Sequence, residues 1–258
     1  YLAAWLIVVL GNARWRTLWI AGLLGVYWLL MKHVHVPGYG PGVFEPVGSF
    51  AWYLDVHVFG AKTWLWSWWR NAPSPGFDPE GIISSLPAIG TVLFGVLAGE
   101  FLNSDRTSEN KSSWLFFAGG VLMLAGVVMD NWLPIIKGLW TSSFAVFMAG
   151  ISTMIFASLY WIVDVNGYRR WTRWLEIYGL NAIAVFFMAG VLERLTVVVA
   201  WKDASGKVLA LHDWYYQLLF SSWIPDPMIS SFVHAFAIML LFLGMASWMY
   251  KRNWIVRV

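Results

Sequence analysis

The 258-residue sequence contains no cysteine, and only 12% of its residues are charged. Without cysteine the chain can form no disulfide, no thiolate nucleophile and no thiolate metal ligand. A soluble domain carries about 25% charged residues, so the scarcity of charge excludes an ordinary soluble protein. The sequence also lacks the Gly-x-Ser-x-Gly, phosphate-binding-loop and His-Glu-x-x-His patterns. It therefore offers no recognised hydrolase, nucleotide-binding or zinc-protease motif.

The sequence is rich in apolar residues, which make up 59% of it, and in tryptophan, of which there are 20. Long uncharged runs predict transmembrane helices, and tryptophan is typical of membrane interfaces. We predict an all-α, polytopic membrane helix bundle that forms a single transmembrane domain over residues 1–258. The predicted spans are one partial span, Tyr1–Leu10, and six full spans: Leu18–His35, Gly81–Leu102, Ser113–Met129, Leu139–Val163, Leu175–Val199 and Pro227–Tyr250.

The chain begins at Tyr1, and the first apolar run is too short to cross a bilayer. It has neither a preceding basic region nor a cleavage site, so it does not fit a signal peptide. We interpret it as the second half of a helix whose start is absent. The chain is then expected to be the C-terminal part of a longer protein.

Basic residues orient the predicted bundle. Ten Lys and Arg residues lie in one set of alternate connections and five in the other, with Lys32 and Arg194 at span ends left uncounted. The positive-inside rule places the richer set in the cytoplasm, so the C-terminus is expected to be cytoplasmic. The calculated pI of about 9.1 then reflects topology and gives no reason to expect a nucleic-acid partner.

The largest connection, residues 37–77, is predicted to lie on the outer side and is unusually aromatic. A segment of this composition does not indicate disorder. We expect Ser49–Phe59 to form a short helix on the membrane surface, carrying Asp55 and His57. The aromatic residues of this loop are Tyr39, Phe44, Phe50, Trp52, Tyr53, Phe59, Trp64, Trp66, Trp68, Trp69 and Phe77.

A polar tetrad, Asp78-Pro79-Glu80-Gly81, precedes the third predicted span. Asp78 can cap the helix, Pro79 suits the first helical position, and Glu80 suits the helix dipole. The same carboxylates could instead orient a catalytic group or bind a polar substrate outside the membrane.

Two further stretches offer polar groups within the bundle. Lys137 stands in a short outer turn before Trp140-Thr141-Ser142-Ser143. It could meet an anionic ligand while the hydroxyls donate hydrogen bonds, or it could snorkel while the hydroxyls bond to their own helix. Asn181 lies inside an apolar span, where it is expected to face the bundle as a ligand contact or as interhelical glue.

The five histidines are at positions 33, 35, 57, 212 and 234. His234 lies inside the last span, and a histidine in a membrane can ligate haem or another metal centre. No two histidines are spaced one helical turn apart. We therefore expect no metal site, and haem or pigment ligation by His234 stays a minor alternative.

Taken together, these stretches resemble the transmembrane heparan-α-glucosaminide N-acetyltransferase family and its bacterial relatives. The resemblance runs from about Gly48 to the C-terminus in consistent order. Its motifs are Gly48–Asp55, Asp78–Gly81, Gly95–Gly99, Pro134 with Lys137, Leu139–Ser143, Val163–Gly167 and Gly179–Ala182. At one position the sequence departs from the family, which tends to have Asn-Lys where this chain has Ile136-Lys137.

The resemblance implies a fold of roughly ten or eleven helices and transfer of an acetyl group from acetyl-CoA, as donor substrate, across the membrane to an amino sugar. The family's proposed key histidine lies in an upstream outer loop that has no match here. We therefore expect no catalytic residue in this chain, and His57 does not take that role. A bacterial inner membrane is the expected location.

The candidate substrate-binding residues are Asp55, Asp78, Glu80, Lys137, Trp140, Thr141, Ser142 and Asn181. Arg169, Arg170 and Arg173 could attract the anionic end of coenzyme A, although topology alone also explains them. The alternative function is a non-catalytic accessory subunit of a larger membrane complex that retains the fold. A transporter is a third possibility, with Gly119-Gly120 as the hint of a broken helix. Membrane lipid and a homo-oligomer or larger complex are the expected partners.

Overall fold

The computed structural model describes residues 2–60, 77–202, 206 and 208–256. The chain folds into two units, Tyr1–Gly167 and Tyr168–Val258. The aromatic residues Trp64, Trp66, Trp68 and Trp69 of the predicted outer loop lie outside the described residues. The prediction of a single transmembrane domain stays a prediction.

The described part of the first unit contains six α-helices: α1 (Leu2–Leu10), α2 (Ala13–His33), α3 (Phe50–Phe59), α4 (Ser85–Leu102), α5 (Ser108–Asp130) and α6 (Ser142–Tyr160). A π-helical turn, Trp161–Val165, continues α6. The second unit contains α7 (Arg173–Leu180), α8 (Ala182–Val198), strands β1 (Ala200–Lys202) and β2 (Val208–Ala210), α9 (Leu211–Tyr216) and α10 (Pro227–Lys251).

Among the described residues, four helical segments are long and apolar enough to cross a membrane: Ser85–Leu102, Ser108–Asp130, Ser142–Val165 and Pro227–Lys251. A fifth is added if α7 and α8 form one broken span. These segments make the chain an integral membrane protein, largely helical as predicted. The number of six full spans is not confirmed. The helix α2 is long enough but less apolar, with Arg14, Arg16 and Lys32 within it.

The span predicted over Leu175–Val199 is interrupted in the structure. The helices α7 and α8 meet at Asn181 with a bend of 74°. By contrast, α5 runs unbroken through Gly119-Gly120, where the sequence had hinted at a break.

The helices α5 and α6 pack closely because glycines remove side chains from their interface. A β-carbon on Gly119 would stand 2.9 Å from the carbonyl oxygen of Gly150, which is too close for any real side chain. Small residues that allow this approach are typical of helix pairs in membranes. Both α4 and α2 pack against α6 of this pair.

Among the described residues, two apolar clusters stabilise the first unit. The first comprises Ile7, Ile20, Leu24, Leu93, Ala145 and Val146. The second comprises Tyr27, Met31, Ala51, Phe77, Ile83, Leu133 and Leu139. The second cluster lies where α2 and α5 end and α4 and α6 begin. We call this end of the unit the loop end.

Arg16 ties the opposite end together. Its guanidinium pairs with Glu100 of α4 and donates to the carbonyl oxygens of Val8 and Gly11, each at 2.8 Å. Because Arg16 is buried, these partners compensate its charge and satisfy its two terminal nitrogens, whereas its Nε has no partner among the described residues.

In the second unit, β1 and β2 form an antiparallel hairpin in which Trp201 pairs with Leu209. The hairpin leads into α9 and a second π-helical turn, Gln217–Ser221. The last helix begins at Pro227, where the predicted span begins, with Asp226 as its cap.

Candidate functional site

The short helix predicted at Ser49–Phe59 is confirmed as α3. Ser49 caps it, with its hydroxyl oxygen accepting the N–H of Trp52 at 3.3 Å. One face of α3 is buried against the loop end through Ala51 and Asp55. This buried face turns the Asp55 carboxylate into the protein.

Asp55 is only 1% exposed, and its Oδ1 accepts the backbone N–H of Ile82 at 2.9 Å. Within the described part of the chain, Oδ2 has no hydrogen-bond partner. Burial raises the pKa of Asp55, and the nearby negative charge of Asp78 raises it further, while the Ile82 hydrogen bond opposes both effects. The carboxyl group therefore loses its proton at a higher pH than an exposed aspartate does.

The predicted helix cap at Asp78 is wrong. Asp78 Oδ1 accepts the N–H of Glu80 at 2.9 Å, which closes a local turn, and α4 begins only at Ser85. The delay has a tertiary cause, because Asp55 holds the backbone of Ile82 in the turn. Ser84 precedes the helix without capping it, and Pro87 stands in its first turn, where a missing N–H costs nothing.

The carbonyl oxygen of Leu139 joins three segments at the loop end. It accepts the Tyr27 hydroxyl of α2 at 2.8 Å and the Ser84 hydroxyl at 3.4 Å. Leu139 and Tyr27 are both fully buried. The connection before α6 is thereby fixed to α2 and to the turn that precedes α4.

Thr141 holds the connection itself together. Its hydroxyl oxygen accepts the N–H groups of Ile136 at 3.1 Å and Phe144 at 3.4 Å, and the hydroxyl donates to Pro134 at 2.8 Å. The bond to Phe144 makes Thr141 the N-cap of α6. Ser143 donates a further bond to the same Pro134 carbonyl at 3.0 Å. The hydroxyls of this stretch thus bond to backbone.

Ser142 and Trp140 extend the same pattern. The buried Ser142 hydroxyl donates to the carbonyl oxygen of Leu24 at 2.8 Å. Trp140 has a φ of 52°, a left-handed conformation that is unusual for a large residue. Its indole Nε1 donates to the Thr91 hydroxyl at 3.4 Å, and its ring meets Phe144 edge-on.

The structure thus brings seven of the eight candidate residues to the loop end: Asp55, Asp78, Glu80, Lys137, Trp140, Thr141 and Ser142. Asp55, Thr141 and Ser142 are buried. Glu80 and Lys137 are exposed, and Asp78 and Trp140 are partly exposed. The exposed members are the ones that can meet a molecule from outside.

The eighth candidate, Asn181, lies in the second unit, at the break between α7 and α8. It is fully buried, and its side-chain oxygen accepts the N–H of Val256 at 3.2 Å. Within the described residues its amide nitrogen has no partner. Asn181 thus ends α7, and its side chain does not cap α8. Instead, the side chain binds the segment that follows α10.

Sequence reasoning missed a histidine pair in the second unit, because it considered only spacing along the chain. The rings of His212 and His234 lie 5.7 Å apart, and His234 Nε2 is 3.0 Å from the Tyr215 hydroxyl. Tyr216 and Phe220 pack around them. Among the described residues there is no group of three or more His, Cys, Asp or Glu that could hold a metal ion.

The chain is similar to two heparan-α-glucosaminide N-acetyltransferases. It is 31% identical to the mouse protein over 209 residues, which cover 70% of this chain. It is 27% identical to the human protein over 210 residues, or 74% of this chain. These similarities confirm the family-level resemblance that the motifs predict. The matched region covers 30% of the length of each relative. No family model matches the chain.

Proposed function

We propose that this chain forms part of a membrane-embedded acetyltransferase that moves an acetyl group from acetyl-CoA across the membrane to an amino sugar. The observation that carries the proposal is the similarity to two acetyltransferases over 70% or more of the chain. The chain is an integral membrane protein that resembles this family, and the resemblance supports an acetyltransferase-like role. The acceptor and the direction of transfer belong to the proposal.

The loop end supplies the acceptor-binding surface in this proposal. Glu80 and Lys137 are exposed there. A carboxylate can bind the ammonium of an amino sugar, and an ammonium can bind an anionic group beside it, through charge-assisted hydrogen bonds. Trp140 adds a partly exposed aromatic ring against which the apolar face of a sugar can pack.

Three buried candidates act in this proposal by holding the surface in place. Asp55 fixes the turn that carries Asp78 and Glu80, whereas Thr141 and Ser142 fix the connection that carries Lys137 and Trp140. Their polar atoms already bond to backbone, so they suit a positioning role. Such support is what keeps contacting groups in productive geometry.

Acetyl-CoA is the proposed donor, and its phosphates require positive charge. Arg170 and Arg173 are exposed and lie in the connection that the positive-inside rule places in the cytoplasm. They can attract the anionic end of the donor. We assign no catalytic base to this chain. Asn181, in the second unit, remains a separate candidate contact.

An assay of transmembrane acetyl transfer in proteoliposomes tests the proposal. The polypeptide is purified from its native membrane, and labelled acetyl-CoA and glucosamine are supplied on opposite sides. We expect labelled N-acetylglucosamine, and we expect Glu80→Gln and Lys137→Gln to raise KM for the acceptor more than they lower kcat. Asp105→Asn and Lys251→Gln remove exposed charges elsewhere and serve as controls.

A specific negative result favours the alternative of a non-catalytic accessory subunit. That result is the absence of turnover with any amino sugar, together with stable co-purification in a larger membrane complex. Transfer that proceeds normally in both loop-end variants would instead retain the acetyltransferase and reject the loop end as its acceptor site.

A further inference from the structure

An apolar groove runs between α4 and α5 of the first unit, well away from the loop end. Its volume is about 480 Å³, and Thr153 of α6 supplies the one hydroxyl among its lining residues. Phe94, Leu97 and Phe101 form one wall, and Trp114, Ala118 and Val121 form the other. Both walls belong to segments apolar enough to cross a membrane. The groove therefore lies at the level of the bilayer that the lipid acyl chains occupy.

A polar pocket of about 500 Å³ continues the groove towards the start of α5. Thr107, Glu109, Asn110 and Ser113 line it. The two cavities share Trp114 and Phe117, which are 50% and 63% exposed. A cavity that is apolar along its length and polar at its mouth fits an amphiphile with one hydrocarbon chain and a hydrogen-bonding head.

The dimensions agree with one leaflet of a bilayer. The lining residues of α5 run from Trp114 to Leu122, a rise of about 12 Å at about 1.5 Å per residue. Half of a hydrocarbon core of about 30 Å is about 15 Å deep. Most of one acyl chain can therefore lie along the groove while its head stays at the interface.

The charges at the mouth specify the head. Arg106 lies over the ring of Phe101 at 5.4 Å and donates to Asn110 Oδ1 at 3.2 Å, which holds a guanidinium at the rim of the groove. Glu109 lines the polar pocket beside it. A phosphate suits the guanidinium and an ammonium suits the carboxylate. The connection also carries Asp105 and Lys111, so it has no net charge.

We propose that this groove is a binding site for a zwitterionic glycerophospholipid with a primary ammonium, namely phosphatidylethanolamine. The phosphate contacts Arg106, the ammonium donates hydrogen bonds to Glu109, and one acyl chain lies between α4 and α5. A balanced pair of charges favours this head over an anionic one. A primary ammonium also offers donors that a trimethylated choline head lacks. The site is independent of the acetyltransferase proposal.

Native mass spectrometry of the detergent-purified protein tests the site. The protein is titrated separately with phosphatidylethanolamine, phosphatidylcholine and phosphatidylglycerol of identical acyl chains. We expect phosphatidylethanolamine to be retained about tenfold more strongly than the other two, the effect of one charge-assisted hydrogen bond. Glu109→Gln is expected to reduce its retention to that of phosphatidylcholine.

A second pair of variants tests the groove itself. Ala118→Trp fills the groove and is expected to abolish preferential retention. Leu124→Trp puts the same side chain on an exposed part of α5 outside the groove and is expected to leave retention unchanged. Equal retention of the three lipids by the wild-type protein would overturn the proposal, as would an unaltered preference in Ala118→Trp. A photoreactive residue at position 118 that crosslinks to protein in place of lipid would show that another helix fills the groove, and would also overturn it.

Discussion

The carboxylate of Asp55 lies directly against the α-carbon of Gly81. A β-carbon built on Gly81 would overlap Asp55 Oδ2 and stand 2.6 Å from Asp55 Cγ. Residue 81 must therefore lack a side chain if α3 is to hold the turn before α4. Asp55 is thus tied to the turn by its contact with Gly81, 26 positions later, and by the hydrogen bond that it accepts from the N–H of Ile82, 27 positions later.

Gly81→Ala is the sharpest test of that packing. The added methyl group must displace the Asp55 carboxylate, and overpacking of this kind costs about 1–3 kcal/mol. We expect a lower melting temperature in detergent, measured by intrinsic tryptophan fluorescence. Gly95→Ala is the matched control, because nothing lies within 4 Å of a β-carbon at Gly95. Equal melting temperatures of the two variants would show that the turn accommodates the methyl group without loss of stability.

The raised pKa of Asp55 predicts a pH dependence of stability. A carboxyl whose pKa is higher in the folded than in the unfolded protein stabilises the fold while it is protonated. This contribution is present below the unfolded value of 3.8 and is lost as the pH rises through the folded pKa. Asp55→Asn mimics the protonated group and should not lose stability in this way.

We therefore expect the melting temperature of Asp55→Asn, relative to the wild type, to increase as the pH is raised from about 4 to about 7. Asparagine keeps an oxygen that can accept the Ile82 N–H. Asp105→Asn, at an exposed position, controls for the loss of one negative charge. If the melting temperatures of the wild type and Asp55→Asn change by the same amount across this pH range, the prediction is contradicted.

Thr141→Val tests the connection that carries Lys137 and Trp140. Valine has nearly the same shape but removes the hydroxyl that caps α6 and bonds to Ile136 and Pro134. Loss of a cap together with buried unpaired backbone groups is expected to cost about 2 kcal/mol. Thr141→Ser keeps the hydroxyl, so it should retain most of this stability in the same unfolding measurement. A Ser variant as unstable as the Val variant would assign the effect to packing of the methyl group.

Local sequence signals predicted the helices, but they could not show which Asp-Pro pair marks a helix start in the folded protein. The sequence contains two Asp-Pro pairs, at positions 78–79 and 226–227, and each predicts a helix start. Asp226 accepts two N–H groups, from Met228 at 2.8 Å and Ile229 at 3.1 Å, and α10 begins there. Asp78 accepts the nearby N–H of Glu80 in a turn, and the helix starts several residues later. The difference lies in Asp55, whose contact with Ile82 is invisible in the local sequence.

The grouping of the candidate residues was easier to predict than which of them face solvent. Motif order placed Asp55, Glu80, Lys137 and Thr141 together as candidates, and the structure brings them to one end of the first unit. Which of them face solvent depends on tertiary packing, so the sequence could not distinguish the contacting residues from the supporting ones. The histidine pair was not predicted for the same reason, since His212 and His234 come together only in the folded protein.

Asn181→Ala tests whether the amide at the break between α7 and α8 holds the C-terminal segment. The Asn181 oxygen accepts the Val256 N–H, so its removal should leave that N–H free to exchange. We expect exchange of the Val256 amide with deuterium to become about tenfold faster, as the loss of one hydrogen bond implies. Trypsin should also cleave after Arg252 more readily.

Asn166→Ala, at an exposed position, is the control for both measurements and should change neither. If exchange and cleavage at the C-terminus are unchanged in Asn181→Ala while the KM for the acceptor rises, Asn181 contacts the ligand and does not tether the chain. If exchange alone accelerates, the amide is a structural link between the bend and the C-terminal segment. The two functions of a buried polar group in a membrane helix, ligand contact and internal support, are thereby separated by one substitution.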